Sequence, residues 1–329
     1  MKRLLMASII LIFLVGLIGS GCLTKAQDAS NNKQKTETNM TTFVKYPKTQ
    51  WYDSVYIANK KGYFAEQNIT IQYVGEIPTA QIVPAVAGGS IDFGLRHTPV
   101  VMLARAQGYP LKIVASGTQS LPDYPHMRYI IRKNSSIKSP RDLIGKKVAI
   151  DSFGACSEFV TKEYLGMNNI EGKPQFVELP DAQQEQSLEQ GIIDVAIIHA
   201  PYSKKAVSNP ALKEFTNDYK IDKGASGMCP YFTNENFIKK NPGVVRGFVT
   251  AIAKASDWVK DHPDEANKII AEELGIKVEQ VEPWAYYEHQ LVKKNAVYWW
   301  LNFLEKDGDL KPDEVKVEDL YTNEFNPNK

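Results

Sequence analysis

Two histidines sit in matching settings and carry the most individual chemistry in the chain. Gly89-Ser-Ile-Asp-Phe-Gly-Leu-Arg-His-Thr-Pro99 aligns without gaps on Gly191-Ile-Ile-Asp-Val-Ala-Ile-Ile-His-Ala-Pro201 at a constant offset of 102 residues. His97 and His199 therefore each leave the end of a strand. Facing one another, they can donate hydrogen bonds to a ligand, titrate near neutral pH, or share a metal with Cys156 or Cys229. No HExxH or CxxC spacing is present, so donation to a ligand is the expected role, and neither a metal nor a cofactor is expected. Arg96 ends an otherwise apolar strand, and its fork of donors matches sulfonate, carboxylate or nitrate oxygens; a structural salt bridge is the other reading. Asp151-Ser152-Phe153-Gly154-Ala155-Cys156-Ser157 precedes an amphipathic helix, where small residues let backbone N–H groups approach an anion; Ser152 or Ser157 can equally serve as a plain cap. Trp51 and Tyr52 offer indole and phenol groups for stacking or ordinary packing, and Asp53 is placed to cap its own helix.

These residues need strands and helices to position them. Strand patterns at 43–46, 69–74, 91–95 and 111–115 alternate with helical patterns at 54–61, 79–87 and 99–107. A second set has strands at 127–132, 147–150, 175–178 and 192–198, with helices at 157–167 and 182–189. The alternation indicates an α/β fold with a largely parallel sheet. Beyond Met228–Thr233, read as a strand, helical periodicity dominates from Val244 through Ala271 and from Trp284 to Glu305. The offset of 102 implies two lobes of one plan. Ligands of such sheets lie beyond the carboxyl ends of the strands. That places the expected ligand-binding residues at Trp51, Tyr52, Arg96, His97, Thr98, Ser116, Thr118, Ser152–Ser157, His199 and Tyr202.

The chain has 329 residues, with 39 Lys+Arg against 38 Asp+Glu, so it offers no basic face for nucleic acid. Lys2 and Arg3, the apolar run 4–18 and the small residues before Cys22 have the form of a secretory signal peptide over residues 1–21. Loss of the two basic residues turns the formal +1 into about −1, too little for long-range steering of an anion. Residues 23–42 are nearly devoid of large apolar side chains and read as a flexible tether. Outside the cytoplasm a disulfide is permitted, yet Cys156 and Cys229 are expected to be free, partly buried thiols.

Together with a lipobox-like end at Cys22, the ordered segments Lys60-Lys-Gly-Tyr-Phe64, Ile69–Val74, Ala85–Gly94, Gly108–Val114, Ser139–Ala149 and Lys240-Asn-Pro resemble the substrate-binding component of ABC importers. The resembling subgroup carries sulfonates, taurine and nitrate on a type II periplasmic-binding-protein fold. The resemblance implies a lipid on Cys22 and a chain that crosses twice between two discontinuous α/β lobes. Lobe one would comprise 43–120 plus 228–329, and lobe two 121–227, closing as a Venus flytrap. It further implies a lipid-anchored extracytoplasmic protein, expected as a monomer, that captures a small anionic solute and passes it to a permease and its ATPase.

Aliphatic sulfonate or taurine is the first expectation for the solute. Nitrate, bicarbonate or a pyrimidine precursor of thiamine is the alternative. No GxSxG, HExxH or GxxxxGK motif is present, so the chain is read as not an enzyme, against the competing idea of an exported hydrolase using the cleft histidines.

Overall fold

A computed structural model of the chain describes residues 41–329. The segment expected as a signal peptide at 1–21, Cys22 as the expected lipid site, and nearly all of the expected tether lie outside the described residues. Thr42, placed in that tether, instead begins the first strand.

The strands fall into two groups. The first comprises the parallel pair β1 (Thr42–Lys48) and β2 (Ile69–Glu76), with β3 (Phe93–Leu95) and β4 (Leu111–Ala115). The second runs from β6 (Met127–Arg132) through β7 (Lys147–Ile150), β8 (Gln175–Glu178) and β9 (Val195–His199) to β10 (Leu212–Asn217). Between the groups lies β5 (Thr118–Gln119). The chain then returns to the first group: β11 (Tyr231–Asn234) enters between β3 and β4, and β12 (Ala285–Tyr286) pairs with β5. This is a two-lobed α/β fold.

The five-stranded sheet has the order β10-β6-β9-β7-β8. Within it only the β7–β8 and β7–β9 pairs are parallel, and β6 runs antiparallel to β9 and β10; in the first group β1 and β2 are parallel while β11 runs antiparallel to β3 and β4. The expectation of a largely parallel sheet is thus corrected to a mixed one, because strands beside the crossings enter from the opposite end. The strand expected from Met228 begins at Tyr231, after Pro230, which has no N–H to give to a ladder. The helix expected from Trp284 is the helix Lys294–Asp307, preceded by β12.

The repeat offset has a structural counterpart. Asp92 and Asp194 each open a strand, and each carboxylate accepts the backbone N–H of a lysine in the neighbouring strand, Lys45 at 2.7 Å and Lys147 at 3.1 Å. The same lysines' carbonyls accept the aspartates' own N–H groups at 3.0 and 2.8 Å. Both lysines and both aspartates are separated by 102 residues, so one device fixes register in both lobes.

The crossing segments pass backbone against backbone. Thr118 Oγ1 donates to the Gly227 carbonyl at 2.7 Å and accepts from the Cys229 N–H at 3.1 Å. At Gly117, φ is +64°, and a Cβ would stand 1.8 Å from the Cys229 carbonyl oxygen. Only glycine allows that approach.

Two large cores form. In the first lobe the 20-residue helix Pro242–Asp261 buries Val245, Phe248, Val249, Ile252, Ala255 and Val259 on one stripe, at the spacing of a single helical face. Phe248 stacks on Phe93 with centroids 3.8 Å apart. The helix ends before Pro263, which opens the next helix at a position where a missing N–H costs nothing. The other core joins residues from both strand groups, including Met102, Ile113, Tyr129, Val148 and Phe159, around the fully buried Trp300.

Candidate binding cleft and its histidine floor

The ends of β1, β2, β7 and β8 open onto a cleft of about 710 Å³. Its walls carry Lys48, Gln50, Trp51 and Glu76 from the first lobe and Asp151, Glu178, Asp181 and Tyr202 from the second. A chain of hydrogen bonds spans the mouth: Tyr202 Oη donates to Gln50 Oε1 at 3.0 Å, and Gln50 Nε2 donates to Glu76 Oε1 at 2.7 Å. The one lysine on the wall is engaged outward, with Nζ 2.7 Å from Glu273 Oε2. Four carboxylates and this lysine are the charged groups of the lining.

Beneath the cleft lies a buried polar floor. Arg96, at the end of β3, is 1% exposed; it donates to Ser152 Oγ at 2.9 Å and stands 3.5 Å from Asp151 Oδ2. Asp151 Oδ1 also accepts from Ser157 Oγ at 3.0 Å. Burial disfavours the Asp151 charge, but His97, His199 and Arg96 around it hold the carboxyl well below its usual range. The arginine and aspartate are thus an ion pair inside the protein, in which the buried Arg96 Nε has no partner.

The two repeat histidines meet here, ring centroids 5.5 Å apart, and His126, at the start of β6, completes a trio at 5.0 Å from His199 and 5.8 Å from His97. Cys156, at the start of the helix Cys156–Met167, places its Sγ 3.5 Å from His199 Nε2 and 3.8 Å from His97 Nε2. Burial pushes His97 down to about 4, against the pull of Asp151 3.3 Å away, so its ring is neutral at pH 7. His126 is held well below its ordinary value by burial, with His199 and His97 adding to the effect. His199 goes the other way: burial opposes its charge, yet Asp181, with both oxygens 3.2 Å from Nδ1, carries it up to about 9. Burial raises the Cys156 thiol well above its ordinary value.

Of the residues expected at the site, only Trp51 and Tyr202 line the cleft directly. Arg96, His97, Ser152, Cys156, Ser157 and His199 are brought together in the floor. Tyr52 is buried, and its carbonyl accepts from Tyr286 Oη at 2.7 Å. Thr98 and Thr118 hydrogen-bond to the carbonyls of Met228 and Gly227 on the returning crossing, and Ser116 donates its N–H to Gln290. Phe153 is 57% exposed. Gly154 donates its N–H to Glu158 Oε2 at 2.8 Å, so the helix start beside it already faces carboxylates. Ala155 is the N-cap, and neither Ser152 nor Ser157 caps. Asp53 does cap its helix, accepting from Val55 N at 3.0 Å. Cys156 and Cys229 are free, and both are fully buried rather than partly so.

Sequence reasoning missed His126, Glu76, Glu178 and Asp181. A signal for His126 existed, since it precedes an apolar strand as His97 and His199 follow theirs.

Residues 52–266 match the family described as NMT1/THI5 like. The chain belongs to that family. Within it, 4-amino-5-hydroxymethyl-2-methylpyrimidine phosphate synthase of Candida albicans is 28% identical over 310 residues, covering 88% of each chain. The reading of the chain as not an enzyme is overturned here, because this relative is named for a synthase activity. Solved structures share the fold. The periplasmic aliphatic sulphonate binding protein of Escherichia coli superposes with a TM-score of 0.66 at 19% identity, covering 84% of this chain and 90% of that one. The periplasmic nitrate-binding protein of Synechocystis PCC 6803 gives 0.70 at 14% identity, covering 87% of both. These likenesses establish the periplasmic-binding-protein architecture for this member of the NMT1/THI5-like family.

Proposed function

We propose that the cleft binds an amino-pyrimidine of the thiamine-precursor class, in an exported, Cys22-anchored protein that passes this solute to an ABC permease. The observation that carries the reading is the acidic, aromatic wall. Glu178, on the wall beside the engaged carboxylates of Glu76, Asp151 and Asp181, complements an exocyclic amine, while Trp51 offers a stacking face. The same wall disfavours the sulfonate first choice, because the charge of Arg96 is spent on Asp151 and Lys48 points to Glu273. The named activity of the Candida albicans relative supports a pyrimidine of this kind. Lobes at 43–120 plus 228–329 and at 121–227 would close over it.

A second reading is chemistry on the same precursor, favoured by the relative's synthase activity and by the buried His97–Asp151 pair under the cleft. A thermal-shift panel of 4-amino-5-hydroxymethyl-2-methylpyrimidine, its phosphate, taurine, an alkanesulfonate, nitrate and bicarbonate tests the ligand class. Pyrimidine at 100 times its dissociation constant adds about 2.7 kcal/mol of stability. Stabilisation by the sulfonates alone would return the reading to anion capture. Mass spectrometry of the pyrimidine after incubation separates carriage, which leaves it unchanged, from chemistry, which does not.

A further inference from the structure

We infer that His97, His126, Cys156 and His199 form a site for one divalent transition ion of the zinc, cobalt or nickel kind, beneath the cleft floor. The four side chains come from the end of β3, the start of β6, a helix start and the end of β9, so nothing in local sequence spacing announces them. Each offers one donor atom, and all four atoms lie within 4.8 Å of one another.

Two edges match a tetrahedral coordination polyhedron. For a tetrahedral ion with metal–sulfur and metal–nitrogen bonds of ordinary zinc length, the S···N edge is about 3.6 Å. The two measured edges from Cys156 Sγ are 3.5 Å to His199 Nε2 and 3.8 Å to His97 Nε2. The remaining edges lie within 4.8 Å, so an ion at the centre would draw the four atoms together.

Two of the three imidazoles have their ring nitrogens sorted as metal ligands require, whereas His97 Nε2, which faces Cys156, also contacts Asp151 Oδ2 at 3.3 Å. His199 Nδ1 is fixed by Asp181, which turns Nε2 toward Cys156. His126 Nδ1 sits 3.4 Å from Thr118 Oγ1, while its Nε2 is buried and has no partner. A fully buried nitrogen without a partner is costly unless something takes its lone pair. A carboxylate or hydroxyl on the remote nitrogen is the outer shell that orients metal-bound imidazoles. Three imidazoles and a thiolate select ions of borderline softness over magnesium or calcium. Asp151 and Asp181 line the cleft and touch His97 and His199, giving a cation a route from solvent. Because His97 belongs to the first strand group and Cys156 and His199 to the second, a bound ion ties the two together.

The test uses tag-free full-length protein, stripped with a chelator and titrated with Co²⁺. One equivalent should bind, with the thiolate-to-cobalt charge-transfer absorption and intense visible bands of a tetrahedral site, and Zn²⁺ should displace it. Cys156→Ser should lose the charge-transfer absorption, His126→Gln should weaken binding at least about tenfold, and Cys229→Ala should retain both. Absence of a saturable cobalt spectrum in the wild-type protein overturns the inference, as does a charge-transfer absorption that survives Cys156→Ser. Should Cys156→Ser fail to fold, the wild-type titration and His126→Gln decide the matter.

Discussion

Cys156 Sγ and His199 Nε2 stand 3.5 Å apart under the cleft floor, each more than nine-tenths buried. The contact exists because β7 and β9 are parallel neighbours, so the loop leaving one and the residue ending the other emerge at the same edge of the sheet.

His199 is held in this position by Asp181. That carboxylate accepts from the His199 backbone N–H at 3.1 Å and also holds its ring. Asp181→Ala is expected to destabilise the protein by roughly 1.5–3 kcal/mol, less than a wholly stranded charge would cost, because the histidine can shed its proton. Urea unfolding at pH 7 measures it, and Asp181→Asn, which keeps one acceptor, should lose less.

Arg96 has no such escape for its partner. Arg96→Met leaves Asp151 ionised and buried without its guanidinium, and a loss of about 3–5 kcal/mol is expected. Affinity for a pyrimidine should change little by comparison, because Arg96 lies beneath the wall rather than in it. Denaturant unfolding and calorimetry on the one variant separate the two effects.

Asp218 supplies a pH dependence. It is fully buried, and burial raises its carboxyl to about 7 against the hydrogen bond it accepts from Met127 N. Between the ordinary carboxylate range and pH 7 the folded protein keeps a proton that the unfolded chain has released. Its contribution to stability therefore falls as pH rises across that interval. Asp218→Asn should flatten the decline in melting temperature between pH 5 and pH 8, and unchanged slopes would contradict the assignment.

The crossing gives a backbone prediction. Gly117→Ala requires both a left-handed conformation and a Cβ 1.8 Å from the Cys229 carbonyl oxygen, so the two crossing segments must part. A loss above about 3 kcal/mol is expected, whereas Gly243→Ala, with nothing within 4 Å of its Cβ, should be tolerated. Thermal melts of the two variants side by side provide the check.

The α/β plan and the pairing of His97 with His199 were legible because a strand, its turn and its following loop are local features that repeat at a fixed offset. Asp92 and Asp194 were visible as matching letters, although their shared job of binding the neighbouring strand's lysine was not. What escaped were relationships made by the crossings. His126 reaches the floor only because β6 returns antiparallel to β9, and Asp151 neutralises Arg96 from 55 residues away. Arg96 read as an anion contact because a sequence displays a charge without its partner. The acidic wall was hidden for the same reason: Glu76 ends β2, while Glu178 and Asp181 flank the turn after β8, about a hundred residues further on.

The central claim is that this wall selects an amino-pyrimidine. Isothermal titration calorimetry of the wild-type protein and Glu178→Gln with 4-amino-5-hydroxymethyl-2-methylpyrimidine and with an alkanesulfonate tests it most directly. Saturable one-to-one binding of the pyrimidine is expected, weakened about tenfold or about 1.4 kcal/mol in the variant, with no heat from the sulfonate. Tight sulfonate binding with no pyrimidine binding would contradict it.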